Sequence, residues 1–214
     1  MSIENMPDFT LNILSFHGTH ESVARNIVAH KNFLIGDIRP DHWLGQGVYF
    51  YREDYKQALV WATYKIKGRK ELHGENAAVV YTHIEVQKSQ FLNLDTRDGL
   101  SYYKDFLKTI NRTIKDTKLE IEVQEDKKKI LLMCLYCDML PENIKIIQRT
   151  YPVNSREFDS EEDLKEMGMH LHGTQVCVRD TSVIQYNTMG IYSTAPVIIV
   201  KRKKKSRKIL FEKE

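Results

Sequence analysis

Three short motifs in the 214-residue chain contain residue types that could bind or transform a ligand. The first is His17-Gly18-Thr19, the second is WLGQGVYF over Trp43–Phe50, and the third is TQVCVRD over Thr174–Asp180. A glycine without a side chain lets a ligand or another backbone approach closely. Each motif alone also fits a structural role, as a turn entering a buried strand or as a polar residue at a strand edge.

The fragment Gly45-Gln46-Gly47 suggests the turn of a dinucleotide-binding fingerprint. Two features argue against that fingerprint: its third glycine position is Phe50, and the residues that follow favour a strand where the fingerprint requires a helix. No phosphate-binding loop and no Ser-His-Asp arrangement is visible in the sequence. The chemistry therefore depends on how the three motifs come together.

Strands and helices alternate irregularly along the chain, which predicts an α+β fold. Apolar periodicity predicts helices over residues 20–30, 54–63, 102–114 and 127–140, the last of them ended by Pro141. Alternating or β-branched segments predict strands over residues 10–19, 48–51, 77–86, 91–95, 119–123, 144–147, 175–178, 183–184 and 197–200. The first motif then ends a strand, the second enters one, and Gln175 opens another.

Length and charge favour one domain over residues 1–200, with residues 101–170 as an insertion and residues 201–214 as a basic C-terminal segment. The formal net charge is +3, from 32 Lys and Arg against 29 Asp and Glu. Seven of those 32 lie in residues 201–208, so the rest of the chain carries 25 basic against 29 acidic residues, or −4. This uneven distribution argues against a uniformly basic, histone-like protein.

Cysteine usage and hydropathy favour a reducing cytoplasm and no membrane association. The chain has three cysteines, shows no secretory leader at its start, and contains no apolar run of about 20 residues. Cys134 and Cys137 form a CxxC pair, and His170 and His172 form an HxH pair. We expect no metal, because small thiols on an apolar helix face are more often buried packing groups than zinc ligands.

Taken together, the three motifs resemble the ADP-ribosyltransferase superfamily, in its diphtheria-toxin-like and poly(ADP-ribose)-polymerase-like branch. The resemblance covers residues 16–63 and returns at residues 173–184. That branch carries a His-Tyr-Glu triad in this order. The resemblance implies a split mixed or antiparallel sheet with flanking helices. It also implies NAD⁺ as the ADP-ribose donor, and no metal.

The resemblance assigns a role to each matching residue. His17 would hydrogen-bond a ribose hydroxyl, Gly18 would hold the nicotinamide amide through its backbone, and Tyr49 would stack on the nicotinamide ring. Thr19 stands at a small hydroxyl position, and Gly47 belongs to the nicotinamide-binding turn. The family's second stacking aromatic falls on Val60 here, so we expect Trp61 or Tyr55 to replace it.

Gln175 falls on the position of the family's catalytic glutamate. Breaking the nicotinamide–ribose bond builds positive charge on the ribose, as in glycoside hydrolysis, and a carboxylate would stabilise that charge. An amide can still hydrogen-bond the 2′-hydroxyl, but it carries no charge. The substitution predicts transfer of a single ADP-ribose rather than growth of a polymer.

The expected function is therefore mono-ADP-ribosylation of a macromolecule, of the kind carried out by bacterial toxins and antiviral defence effectors, with an antitoxin as partner. The basic run over residues 201–208 favours nucleic acid, and RNA in particular, as acceptor. Three alternatives stay open at this point: a protein acceptor, transfer to water as an NAD⁺ glycohydrolase, and an inactive module that binds NAD⁺ or ADP-ribose.

Overall fold

The computed structural model describes residues 8–36, 42–116, 128–153 and 162–199. These ranges contain seven strands: β1 (Thr10–His20), β2 (Val48–Arg52), β3 (Ala77–Gln87), β4 (Phe91–Asn93), β5 (Ile146–Pro152), β6 (His172–Val178) and β7 (Ile184–Ala195). They also contain five α-helices: α1 (Glu21–His30), α2 (Tyr55–Gly68), α3 (Arg97–Asp116), α4 (Lys128–Asp138) and α5 (Glu162–Glu166).

The strands form one mixed sheet in the order β4-β5-β6-β2-β1-β3-β7. β4 and β5 pair in parallel, and the other neighbours pair antiparallel. The predicted α+β class is confirmed. β5 lies within residues 101–170, so this stretch contributes a sheet strand as well as helices.

β1 places a different helix on each face of the sheet because successive side chains point to opposite sides. Its residue Ile13 packs with Ala24 and Ile27 of α1 in the largest apolar cluster. Phe16, three residues further on, packs on the other face with Ala58 of α2. α2 is amphipathic in the way that this position demands, with Ala58, Ala62 and Ile66 buried at helical spacing.

A third apolar cluster lies under α3 and α4, where aromatic side chains of α3 meet buried cysteines. Arg179, just after β6, fixes the chain that follows α4. Its guanidinium donates hydrogen bonds of 2.7–3.2 Å to the backbone carbonyls of Asp138, Leu140, Pro141 and Ile144. These contacts satisfy carbonyls that the end of a helix leaves without intrahelical donors.

One strand prediction is wrong. Residues 197–199 are not in a strand, and the chain instead forms the long strand β7 before them. β7 is an edge strand whose side chains are mostly half-buried or exposed, so its sequence lacks the continuous apolar run on which the prediction relied. The predicted strand over 119–123 and the basic segment 201–214 lie outside the described residues. Within the part of the chain that is described, no helix is both long and apolar enough to cross a bilayer.

Candidate functional site

The sheet opens between β1 and β2. These strands pair at Ser15 with Arg52 and at Phe16 with Tyr51, and their pairing stops there within the described residues. A cavity of about 470 Å³ lies at this opening. It is lined by all seven residues that the sequence singled out, namely His17, Gly18, Thr19, Gly47, Tyr49, Trp61 and Gln175.

His17 bridges the opening with its imidazole ring. Its Nδ1 lies 2.8 Å from the carbonyl oxygen of Tyr49, so a side chain joins β1 to β2 where backbone pairing has ended. A carbonyl only accepts hydrogen bonds, so Nδ1 carries a proton and donates it to this carbonyl. Phe33 and Phe50 contact the ring edge-on, at centroid distances of 5.3 and 5.7 Å, and fix its orientation.

Two glycines allow the close backbone packing that shapes the cavity. A Cβ at Gly18 would lie 1.9 Å from the carbonyl oxygen of Ala58, so only glycine lets α2 pack this tightly against β1. A Cβ at Gly47 would lie 2.6 Å from both Cys177 Sγ and the carbonyl oxygen of Val178. Both positions are explained by packing, whether or not the glycines also contact a ligand.

Thr19 presents an unusual hydroxyl. The residue is 0% exposed, yet its Oγ1 has no hydrogen-bond partner in the structure. Leaving a buried hydroxyl unsatisfied costs about 1–3 kcal/mol. Because Thr19 also lines the cavity, a polar group of a bound ligand would recover that cost.

Tyr49 lies on β2, across the opening from β1, and two hydrogen bonds hold its side chain in place. Its hydroxyl donates to the carbonyl oxygen of Gly45 at 2.7 Å and accepts from the backbone N–H of Leu44 at 2.8 Å. Burial raises the pKa of the Tyr49 phenol, so the hydroxyl stays protonated and able to donate. The ring stacks against His42 at a centroid distance of 4.8 Å and an interplanar angle of 22°, so one of its faces is already covered.

Gln175 lies beside a second tyrosine of β2. β6 pairs Gln175 with Tyr51, and the Gln175 Nε2 donates to the Tyr51 hydroxyl across 3.4 Å. Burial raises the pKa of Tyr51, and Gln57 of α2 beside this hydroxyl partly offsets that rise. With its nitrogen directed to Tyr51, the Gln175 amide keeps its oxygen as the acceptor.

Of the two aromatic residues expected as the second stacking wall, one lines the cavity and the other does not. Trp61 lines the cavity and is 37% exposed. Tyr55 instead packs against Phe16 and Tyr192, at centroid distances of 6.2 and 4.7 Å. The structure thus offers Trp61, and not Tyr55, as a wall of this cavity.

Sequence reasoning did not assign a role to several polar residues that line the same cavity: Asn26 of α1, Asn32, His42, Tyr51 and Lys65 of α2. Lys65 is the only charged side chain among the described residues of the lining. Lys65 therefore brings a positive charge to the lining of the cavity. Alternation along β2 could have identified Tyr51, because it shares a strand face with Tyr49.

The cysteine and histidine pairs do not converge on a metal site in the described ranges, where no group of three or more candidate ligands is found. Cys134, Cys137 and Cys177 are buried free thiols. Burial raises the pKa of Cys134 to about 11 and that of Cys137 to about 12, so both remain protonated near neutral pH.

A second, more open recess of about 620 Å³ lies beside α4 and contains Arg179, Asp138 and Asp180. Glu142 also lines the recess, but these three charged groups are already engaged within the protein. Arg179 holds backbone carbonyls, and Lys145 pairs with Asp180 at 3.1 Å. Asp138 Oδ1 accepts a hydrogen bond from the Gln46 N–H. The smaller cavity at the sheet opening is therefore the better candidate for chemistry.

Comparison with known proteins yields one significant relative. The uncharacterized protein MJ0359 of Methanocaldococcus jannaschii is 26% identical over 183 residues, covering 79% of this chain and 83% of that protein. The identity indicates a related chain, and the relative's name carries no activity. No protein-family model matches the chain, and no solved structure matches it.

Proposed function

We propose that the protein is a mono-ADP-ribosyltransferase that transfers ADP-ribose from NAD⁺ to a nucleic acid, with RNA as the favoured acceptor. One observation carries the proposal: residues from three distant segments, all selected by type and spacing, line a single cavity at the opening between β1 and β2. A purely structural origin of the three motifs would not require this convergence.

The reaction breaks the bond between C1′ of the ribose and the ring nitrogen of nicotinamide. The bonding electrons go to that nitrogen, so a neutral nicotinamide leaves and positive charge develops on the ribose. An acceptor oxygen or nitrogen then forms a bond to C1′ and loses a proton. The balance is NAD⁺ plus acceptor–H giving ADP-ribosyl-acceptor, nicotinamide and H⁺.

In this proposal the cavity acts mainly by orienting the donor. Nicotinamide stacks on the face of Tyr49 that His42 leaves open, with Trp61 as the other wall. The Gln175 amide oxygen accepts a hydrogen bond from the 2′-hydroxyl of the reacting ribose. Lys65 supplies a positive charge for the pyrophosphate. With no carboxylate at residue 175, the site supports a single transfer.

Labelled NAD⁺ incubated with total RNA and total protein tests the proposal. The adenylate phosphate carries the label, and parallel samples are treated with nuclease or with protease. Acid-insoluble label that nuclease removes and protease leaves is the expected result. Label removed only by protease would replace the nucleic-acid acceptor with a protein, and label that stays acid-soluble would contradict macromolecular transfer.

The buried hydroxyl of Thr19 gives a sharper test of the donor site. Thr19→Val keeps the side-chain shape and removes a hydroxyl that has no partner among the described residues. We expect thermal stability to be unchanged or slightly raised, and NAD⁺ affinity, measured by calorimetry, to fall about ten-fold because one hydrogen bond to the ligand is lost.

Thr82→Val is the matched control, since Thr82 is equally buried but its hydroxyl donates to the Gln185 carbonyl at 3.1 Å. That change should lower stability, by about 1–2 kcal/mol, and leave NAD⁺ affinity unaltered in the folded protein. Unchanged NAD⁺ affinity in Thr19→Val would remove Thr19 from the donor site.

A further inference from the structure

The outer face of α2 displays large aromatic side chains to solvent. Trp61 is 37% exposed, Tyr64 is 68% exposed and Val60 is 43% exposed. The inner face of the same helix is fully committed to the sheet, because Ala58, Ala62 and Ile66 are buried. Packing within the described protein therefore does not account for the exposed rings.

These side chains form a stripe that starts at the candidate site. Gln57, Trp61 and Tyr64 stand at positions i, i+4 and i+7, which share one side of a helix. Gln57 lies beside the Tyr51 hydroxyl to which Gln175 donates. Trp61 lines the cavity, and Tyr64 continues the stripe outward by one helical turn.

The charged residues of the helix that carries the stripe are all basic. Residues 55–70 contain five basic residues and no acidic residue. Lys56, Lys67, Arg69 and Lys70 are exposed, and Lys65 is partly buried at the cavity. Aromatic rings interleaved with cations are the pattern by which proteins hold single-stranded nucleic acids, stacking the bases and attracting the phosphates.

We propose that this surface, formed by Trp61, Tyr64, Lys67, Arg69 and Lys70, binds a single-stranded nucleic acid and leads it to the cavity as the acceptor. The proposal rests on the proposed function and names the surface that supplies its substrate. Single strands fit better than duplexes because unpaired bases can stack on Trp61 and Tyr64. A stripe of two rings followed by three cations also differs from the broad apolar face with which a helix lies in a membrane.

Direct binding tests the surface without relying on catalysis. Fluorescein-labelled 12-nucleotide single strands of one mixed sequence, made as RNA and as DNA, are titrated with the full chain while anisotropy is measured. Tyr64→Ala should weaken binding about ten-fold because a stacking platform is lost, and Tyr64→Phe should restore it. Lys67→Glu should weaken binding similarly. It should also make the plot of log affinity against log salt concentration less steep, by about one unit of slope.

Lys104→Glu is the matched control. Lys104 on α3 is also exposed, and its replacement by glutamate changes the charge by the same amount as Lys67→Glu. Equal losses in Lys67→Glu and Lys104→Glu, or wild-type binding by Tyr64→Ala, would overturn the proposal. Vesicles of phosphatidylglycerol and phosphatidylcholine give a further test. If Tyr64→Ala and Lys67→Glu bind these vesicles more weakly than wild type but bind the oligonucleotides equally well, the surface binds membranes and the proposal is overturned.

The same variants separate this inference from the proposed function. Nicotinamide release from NAD⁺ without oligonucleotide should be the same in Tyr64→Ala and wild type, because Tyr64 does not line the cavity. If the wild type releases no nicotinamide while Tyr64→Ala still weakens oligonucleotide binding, the surface stands and the transferase proposal falls. If transfer to RNA persists at the wild-type rate in both surface variants, the surface falls and the transferase stands.

Discussion

Replacing His17 with alanine should reduce nicotinamide release from NAD⁺ at least about 100-fold. The imidazole bridges β1 to the Tyr49 carbonyl at the point where the strands separate. In the proposed complex the same ring also forms a hydrogen bond with a ribose hydroxyl. Removing it takes away a donor contact and the side-chain tie that sets the spacing of the cavity walls. A displacement of about 1 Å in a reacting group can itself cost about 100-fold in rate.

The matched control is His83→Ala. His83 is a partly exposed strand histidine whose Nδ1 lies 2.6 Å from Asn12 Oδ1, and it does not line the cavity. Its loss should leave nicotinamide release within about two-fold of wild type. His17→Asn provides a second variant with a polar side chain should the alanine protein fail to fold. Wild-type nicotinamide release by a folded His17 variant would exclude His17 from the reaction.

Replacing Gln175 with glutamate should raise the rate of nicotinamide release about ten-fold, which corresponds to about 1.4 kcal/mol of added transition-state stabilisation. The new carboxylate would face the positive charge that develops on the ribose. The Tyr51 hydroxyl, which accepts from the Gln175 amide, can rotate to donate to a carboxylate instead. The gain should therefore appear above the pKa of the new carboxyl group and vanish below it.

Gln175→Ala tests the same position from the other side. It removes the amide oxygen that accepts the 2′-hydroxyl, so nicotinamide release should fall about ten-fold or more in a protein of unchanged melting temperature. Stopped assays from pH 4 to 8 distinguish the three proteins. A glutamate variant that is folded but slower than wild type across that range would show that the amide itself is required and that charge is not the missing element.

Much of the frame of the site was predictable from residue periodicity. The strand–helix succession from β1 through α2 follows from apolar residues spaced by two or by about 3.6, and this succession places His17, Tyr49 and Trp61 near one another. Periodicity identifies Gln175 only as a polar residue that opens a short apolar strand, and its expected role came from the family resemblance. The location of all these residues on one cavity depends on the order of the strands, which periodicity does not contain.

Other parts were not predictable because tertiary contacts determine them. The sequence leaves Gly18 either as part of a turn or as a site of close approach, and only the fold identifies the Ala58 carbonyl as the group that approaches β1 there. The predicted strand over residues 183–184 meets β7 only at Ile184, and the rest of β7 escaped detection because its side chains are mostly half-buried or exposed and form no apolar run. Lys65 lies in a basic stretch whose sequence does not say which lysine turns toward the cavity.

The measurement that most directly tests the account follows both ends of the donor in one reaction. NAD⁺ labelled with ¹⁴C in nicotinamide and with ³²P in the adenylate is incubated with the full chain and total RNA, and both labels are counted in the acid-soluble and acid-insoluble fractions. We expect one free nicotinamide for each ADP-ribose that becomes acid-insoluble and nuclease-sensitive. Intact NAD⁺ at the end of the reaction, with both labels still in one molecule, would contradict it.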